Sequence, residues 1–187
     1  MSNCIYVSSL KHAAEFDHGA LVAGIARTYS RRGIAVRFEP TLPGGKRADL
    51  AFAMDHGWTF VEVKTRSNGT LAKSQGLSLR QGLLREILRL RAHSMKQLPR
   101  KQSSLIVLAT SASANRRRAI SKLAIARSFA GRIFGHDSEK VLGLMIFAPF
   151  RGASQSHKTW RYASTFIPNP NWKAHAQNFE RLASVQL

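Results

Sequence analysis

Apolar residues first recur at helical intervals at Phe16, Leu21, Ile25 and Tyr29, which predicts a helix over 12–32. Arg27, Arg31 and Arg32 crowd its last turns, where cations suit the helix dipole, and Gly33 supplies the stop. The period then shortens. "IAVRFE" (34–39) predicts a strand and "PTLPGGK" (40–46) a turn-rich loop. "ADLAFAM" (48–54) and "WTFVEVKT" (58–65) predict a hairpin across "DHG". Residues 66–76 read as a polar loop. Ser78 and Gln81 have capping-box spacing ahead of a long helix. Leu83, Leu84, Ile87, Leu88 and Arg91 give that helix an apolar stripe with basic flanks, and Pro99 ends it.

"SLIVLAT" (104–110) and "VLGLMIFAPF" (141–150) are nearly continuous apolar runs, as in strands covered on both faces. A predicted helix over 115–134, stopped by Gly135, separates them. "TWRYASTFI" (159–167) alternates like an outer strand, and 172–185 predict a last helix. A meander that passes into β-α-β crossovers predicts an α/β fold, a mixed central sheet flanked by helices. No linker divides the chain, so its 187 residues are expected to form one domain.

Charge changes the picture of what the chain meets. It carries 29 Lys and Arg against 10 Asp and Glu, a formal net charge of +19. Such a balance points to a polyanion, and nucleic acid is the default. No apolar run is long enough to span a bilayer, so no membrane partner is expected. The single cysteine, Cys4, excludes an internal disulfide and argues against a thiolate zinc site. The N-terminus lacks a secretory pattern, and a cytoplasmic setting is expected. The acids are unevenly spread. Glu15, Asp17, Glu39, Asp49, Asp55 and Glu62 all fall within residues 15–62. That confinement suggests a local task.

Alternate strand residues share a face, so Glu62 and Lys64 point the same way. The hairpin register then decides whether Asp49 joins them. A turn at His56-Gly57 sets Asp49 opposite Lys64, and a turn at Asp55-His56 sets it opposite Glu62. Either register puts all three on one face, whereas a three-residue turn sets Asp49 opposite Val63, on the other face, unless a bulge intervenes. Two close carboxylates raise each other's pKa, and a hard cation relieves the repulsion. Mg2+ takes such oxygen ligands together with water and phosphate, and Mn2+ is its expected substitute. Beside the ion, an ammonium can hold a water or stabilise developing charge. The other reading of Glu62 and Lys64 is a solvent-facing ion pair worth little.

"AD" at 48–49 followed by "EVK" at 62–64 resembles the signature of the PD-(D/E)xK nuclease superfamily, the restriction-endonuclease-like fold that includes Holliday junction resolvases. The element order over 12–148 is similar to its α-β-β-β-α-β core, and a β-α extension follows from about residue 151. Ala48 stands at the motif's proline. The resemblance implies a metal-dependent DNA endonuclease. It implies that Asp49, Glu62 and the Val63 carbonyl hold the ion, and that Lys64 serves the water or phosphate. It places Glu15 as an outer-shell or second-metal ligand, with Asp17 as the weaker choice. Lys73, Gln75, Gln81 and Gln97 compete for a role near the second helix.

Arg116, Arg117 and Arg118 crowd a predicted helix start, where cations oppose the dipole, so they make sense facing phosphates. Arg66 and Lys73, in the loop after the hairpin, are further expected nucleic-acid contacts. His12 and His18 lie near Glu15 in sequence and either enter the site or are ordinary surface histidines. Trp160, Tyr162 and Trp172 suit either base stacking or the core. A homodimer would suit double-strand cleavage. A non-catalytic basic nucleic-acid-binding module, or an accessory subunit with the same fold, would share the charge. A structural basic protein would not explain the confined acids.

Overall fold

The structure is a computed structural model that describes residues 13–42, 44–55, 57–65, 79–99, 103–110, 113–134, 141–151 and 160–172, the side chains of 13–17, 151, 160 and 161 excepted. In chain order the elements are α1 (Ala13–Ser30), β1 (Val36–Phe38), β2 (Leu50–Met54), β3 (Gly57–Thr65), α2 (Leu79–Gln97), β4 (Ser104–Ala109), α3 (Arg116–Arg127), α4 (Ala130–Ile133), β5 (Val141–Arg151) and β6 (Trp160–Pro168). The helix expected over 172–185 lies outside the described residues.

The six strands form one sheet in sequence order. β1, β2 and β3 are an antiparallel meander; β4 and β5 then join in parallel, and β6 returns antiparallel. The α/β expectation therefore holds, with a mixed sheet between helices. β4 shows why its sequence is apolar throughout. All six of its residues are buried, because parallel strands reached by helical crossovers are covered on both faces.

Alternation along the strands divides the core in two. On one face Leu50, Phe52, Val61, Val63, Leu105 and Val107 pack against Leu21, Val22, Ile25 and Tyr29 of α1. The Tyr29 and Phe52 rings stack at 4.2 Å, and burial pushes the Tyr29 phenol well above its usual range. On the other face Ile106, Leu108, Leu144 and Ile146 meet Leu83, Ile87 and Leu90 of α2 and Ala119, Leu123 and Ala126 of α3. Each fully buried side chain of this size stabilises by about 1.5–3 kcal/mol. α1 ends as its sequence predicts. Gly33 takes φ 78°, and the Ile34 N–H returns to the Tyr29 carbonyl at 3.2 Å.

Two expectations need correction. The helix expected over 115–134 is broken at Ser128 and Phe129. Phe129 leaves helical geometry, with φ −99° and ψ 5°, and is buried in the core instead. The Ser128 hydroxyl occupies the Ile125 carbonyl that the helix end exposes. The second correction concerns β2, which starts at Leu50 rather than Ala48. Asp49 therefore precedes the strand. The hairpin ladder runs from Leu50↔Val61 to Met54↔Gly57. This is the register that sets position 49 opposite Glu62.

Candidate functional site

β3 is an ordinary amphipathic strand until its last four residues. Val61 and Val63 face α1, while Glu62 and Lys64 take the opposite face in line with Ile106 and Leu108 of β4. Glu62 is thus a carboxylate in a position otherwise reserved for aliphatic side chains, and it is only 3% exposed. Its Oε1 accepts a hydrogen bond from Lys64 Nζ. Lys64 is less enclosed, with 30% of its side chain exposed. The ammonium reaches both the carboxylate and open space.

Asp49 enters from the adjacent chain end. Where β2 has not yet begun, the Val63 N–H lacks a ladder carbonyl, and Asp49 Oδ2 accepts it at 2.7 Å. Paired strand residues exchange N–H and C=O with the same neighbour, so the Val63 carbonyl also faces the Asp49 side. Asp49 Oδ1 lies 3.3 Å from His18 Nε2 on α1. One carboxylate therefore ties together α1, the start of β2 and the end of β3.

Two opposing influences act on Glu62. Burial pushes its pKa up, and the nearby Asp49 charge adds to the rise; the Lys64 hydrogen bond and charge hold it down. The net direction is upward, so the ionised form lacks full compensation. A divalent cation would supply it. Among the described residues no three or more His, Cys, Asp or Glu side chains form a metal-holding group. Two carboxylates and a carbonyl are nonetheless a donor set of the kind Mg2+ accepts, since it keeps several waters and substrate oxygens.

The structure brings together Asp49, Glu62, Val63 and Lys64, with His18 of the two histidine candidates against Asp49. The His18 signal was its spacing: three positions after Glu15, it shares that residue's helix face. Glu15 lies on α1, but its side chain is outside those described, as is that of Asp17. Arg66 and Lys73 lie outside the described residues, together with His12 and Gln75.

Arg116, Arg117 and Arg118 are exposed at the start of α3. Asn115 caps that helix, its Oδ1 accepting the Arg118 N–H at 2.9 Å, and no acid occupies the first turn. Ser113 bridges to Phe150, so α3 begins at the sheet end where β3 carries Lys64. Lys64 aligns with Leu108 and Ile146. Two strand spacings and four residues then separate it from Phe150, on the order of 15 Å. Arg116 lies beyond, in contact with the same groove as Phe150. Tyr162 and Trp172 pack against the core face that α1 covers, and the Trp160 side chain is outside those described. Among the described residues, no helix is long and apolar enough to cross a membrane.

No protein-family model matches the sequence, and a search of curated proteins finds no match.

Proposed function

We propose that the chain is a metal-dependent nuclease that hydrolyses phosphodiester bonds in DNA, built on a restriction-endonuclease-like core. The observation that carries this reading is the meeting of Asp49, buried Glu62 and Lys64 at one sheet end. The element order α1, β1–β3, α2, β4 fits the α-β-β-β-α-β core that the motif resembles. The net charge of +19 suits a polyanionic substrate.

Asp49, Glu62 and the Val63 carbonyl would hold Mg2+, or Mn2+ in its place. When bound, the ion would polarise a phosphoryl oxygen and acidify a coordinated water. Lys64, hydrogen-bonded to Glu62, would orient the attacking water or neutralise charge developing on the phosphate. Water oxygen bonds to phosphorus as the water gives up a proton to solvent, the bond from phosphorus to the leaving sugar oxygen breaks, and that oxygen takes up a proton from solvent. His18 steadies Asp49 Oδ1 from α1, while the Val63 N–H holds Oδ2.

Purified protein incubated with DNA and Mg2+ tests the reading. Wild type should produce cut strands, EDTA should stop it, and Lys64→Ala should lose cutting while still binding DNA. Wild type that binds DNA and RNA but cuts neither with Mg2+ or Mn2+ overturns the catalytic reading and leaves a basic nucleic-acid-binding module.

A further inference from the structure

The three arginines at the start of α3 extend into a second feature. A groove of about 400 Å³ runs between α3 and β6. Arg116 and Arg127 stand at its two ends along α3, separated by 11 residues, or about 16 Å of helix. Between them the lining is mainly apolar, with Ile120, Leu123 and Phe150, while β6 adds the polar Tyr162, Ser164 and Thr165. Among the described residues, none that lines it is an acid. Ile120 is 50% exposed, which is unusual for an isoleucine of a helix packed on a sheet. Arg116 and Arg127 are both exposed.

Two cations at the ends of an apolar trough match a polymer that alternates charge with flat apolar surface. A single nucleic-acid strand does so: its phosphates meet arginine while its bases and sugars lie on apolar side chains. A duplex buries its base faces and would gain nothing from the floor. The three arginines also oppose the dipole at the start of α3, a conflict that a nearby phosphate would relieve. We propose that the α3–β6 groove holds a single nucleic-acid strand, with Arg116 and Arg127 as phosphate contacts and Ile120 against a base. This rests on the nucleic-acid part of the proposed function, not on its catalytic part. Because α3 begins at the sheet end that carries Lys64, the groove would hold a strand flanking the point of cleavage.

The test is equilibrium binding in EDTA, where nothing is cut, to a labelled single-stranded DNA 12-mer and to its duplex across a salt series. In the Arg116→Ala/Arg127→Ala double variant, single-strand affinity should fall about tenfold or more. The slope of log K on log salt should flatten by about 1.4, two single-strand phosphates' worth. Ile120→Asp should weaken the single strand more than the duplex. Thr165→Lys, which adds a cation to the trough, should tighten the single strand several-fold and keeps the test decisive if the double variant misfolds. Unchanged affinity and slope in all variants overturn the groove. Losses that fall equally on the duplex overturn the single-strand assignment. Wild type that binds neither DNA overturns the groove and the nucleic-acid reading together. Wild type that binds single strands through the groove but never cuts with Mg2+ supports the groove and overturns only catalysis.

Discussion

The β2–β3 end and the α3–β6 margin of the sheet carry opposite electrostatics for opposite physical reasons. At the first, Glu62 is buried, its charge is under-compensated, and Asp49 is held by a backbone N–H and an imidazole. At the second, cations are exposed and none of the described lining residues is an acid. Buried charge is expensive, so it is retained where geometry must be fixed. Exposed charge costs little, so it can be spread along a track that a mobile polymer follows. The comparison separates a place for chemistry from a place for holding.

The largest effect should come from the buried carboxylate. Glu62→Gln keeps the shape and the capacity to accept from Lys64, but removes the negative charge. Cutting should fall at least 100-fold, the scale of a lost charged group in such a site. DNA affinity in EDTA should change less than about threefold. Mg2+ should raise the melting temperature of wild type by ligand linkage, and this rise should vanish in Glu62→Gln and in Asp49→Asn. Equal losses of cutting and of EDTA binding would show that the two regions are not separable.

A different stretch, the β5–β6 seam on the sheet face that α1 covers, should break through packing. A Cβ at Gly143 would sit 2.5 Å from the Phe166 ring and 2.7 Å from the Ile167 carbonyl oxygen. Neither β5 nor β6 can yield without moving the other, since Gly143 pairs with Pro168 at the end of their ladder. Gly143→Ala should cost about 1–3 kcal/mol by overpacking, readable as a lower chemical-denaturation midpoint. Metal-dependent stabilisation should survive in the folded fraction.

How far the sequence foretold these regions follows from the range of the interactions. Element order was legible because periodicity is local: β4 and β5 announced themselves as covered strands, and Gly33 as a helix stop. The convergence of Asp49 with Glu62 was legible because a two-residue turn fixes register. That Asp49 leaves the strand to hold the Val63 N–H was not, because it depends on where β2 loses its neighbour. The break at Phe129 was hidden for a similar reason, since only the assembled core offers Phe129 a buried place. Arg127 was not singled out by the sequence, because only the assembled sheet gives the groove its β6 wall.

Acid–base behaviour should divide the regions as well. The folded Glu62 pKa lies above its ordinary value of 4.5, so the native state binds more protons than the unfolded chain. Its contribution to stability must therefore decline as pH rises from about the unfolded value through the raised folded one, then level off. In EDTA, unfolding free energy measured against pH should show that decline in wild type, and Glu62→Gln should flatten it. With Mg2+ present the decline should shrink, because the ion favours the ionised form. The groove variants should follow the wild-type curve. A Glu62→Gln curve that keeps the full decline would place its source elsewhere.

The smallest effect should come from Asn115, where holding and stability conflict. Its Oδ1 caps α3 through the Arg118 N–H, and three arginines follow with no acid in the turn. Asn115→Ala should cost about 1 kcal/mol, the usual loss of a cap. Asn115→Asp should recover that loss and add a few tenths of a kcal/mol, since an anion suits both the dipole and the arginines. The same aspartate would sit where a phosphate is expected, so it should weaken binding of single-stranded DNA in EDTA. Opposite signs for stability and affinity would show that the asparagine is chosen over the better cap because the arginines serve a ligand. An Asp variant that gains stability and binds as tightly as wild type would show that Arg116, Arg117 and Arg118 are a solvated helix end and nothing more.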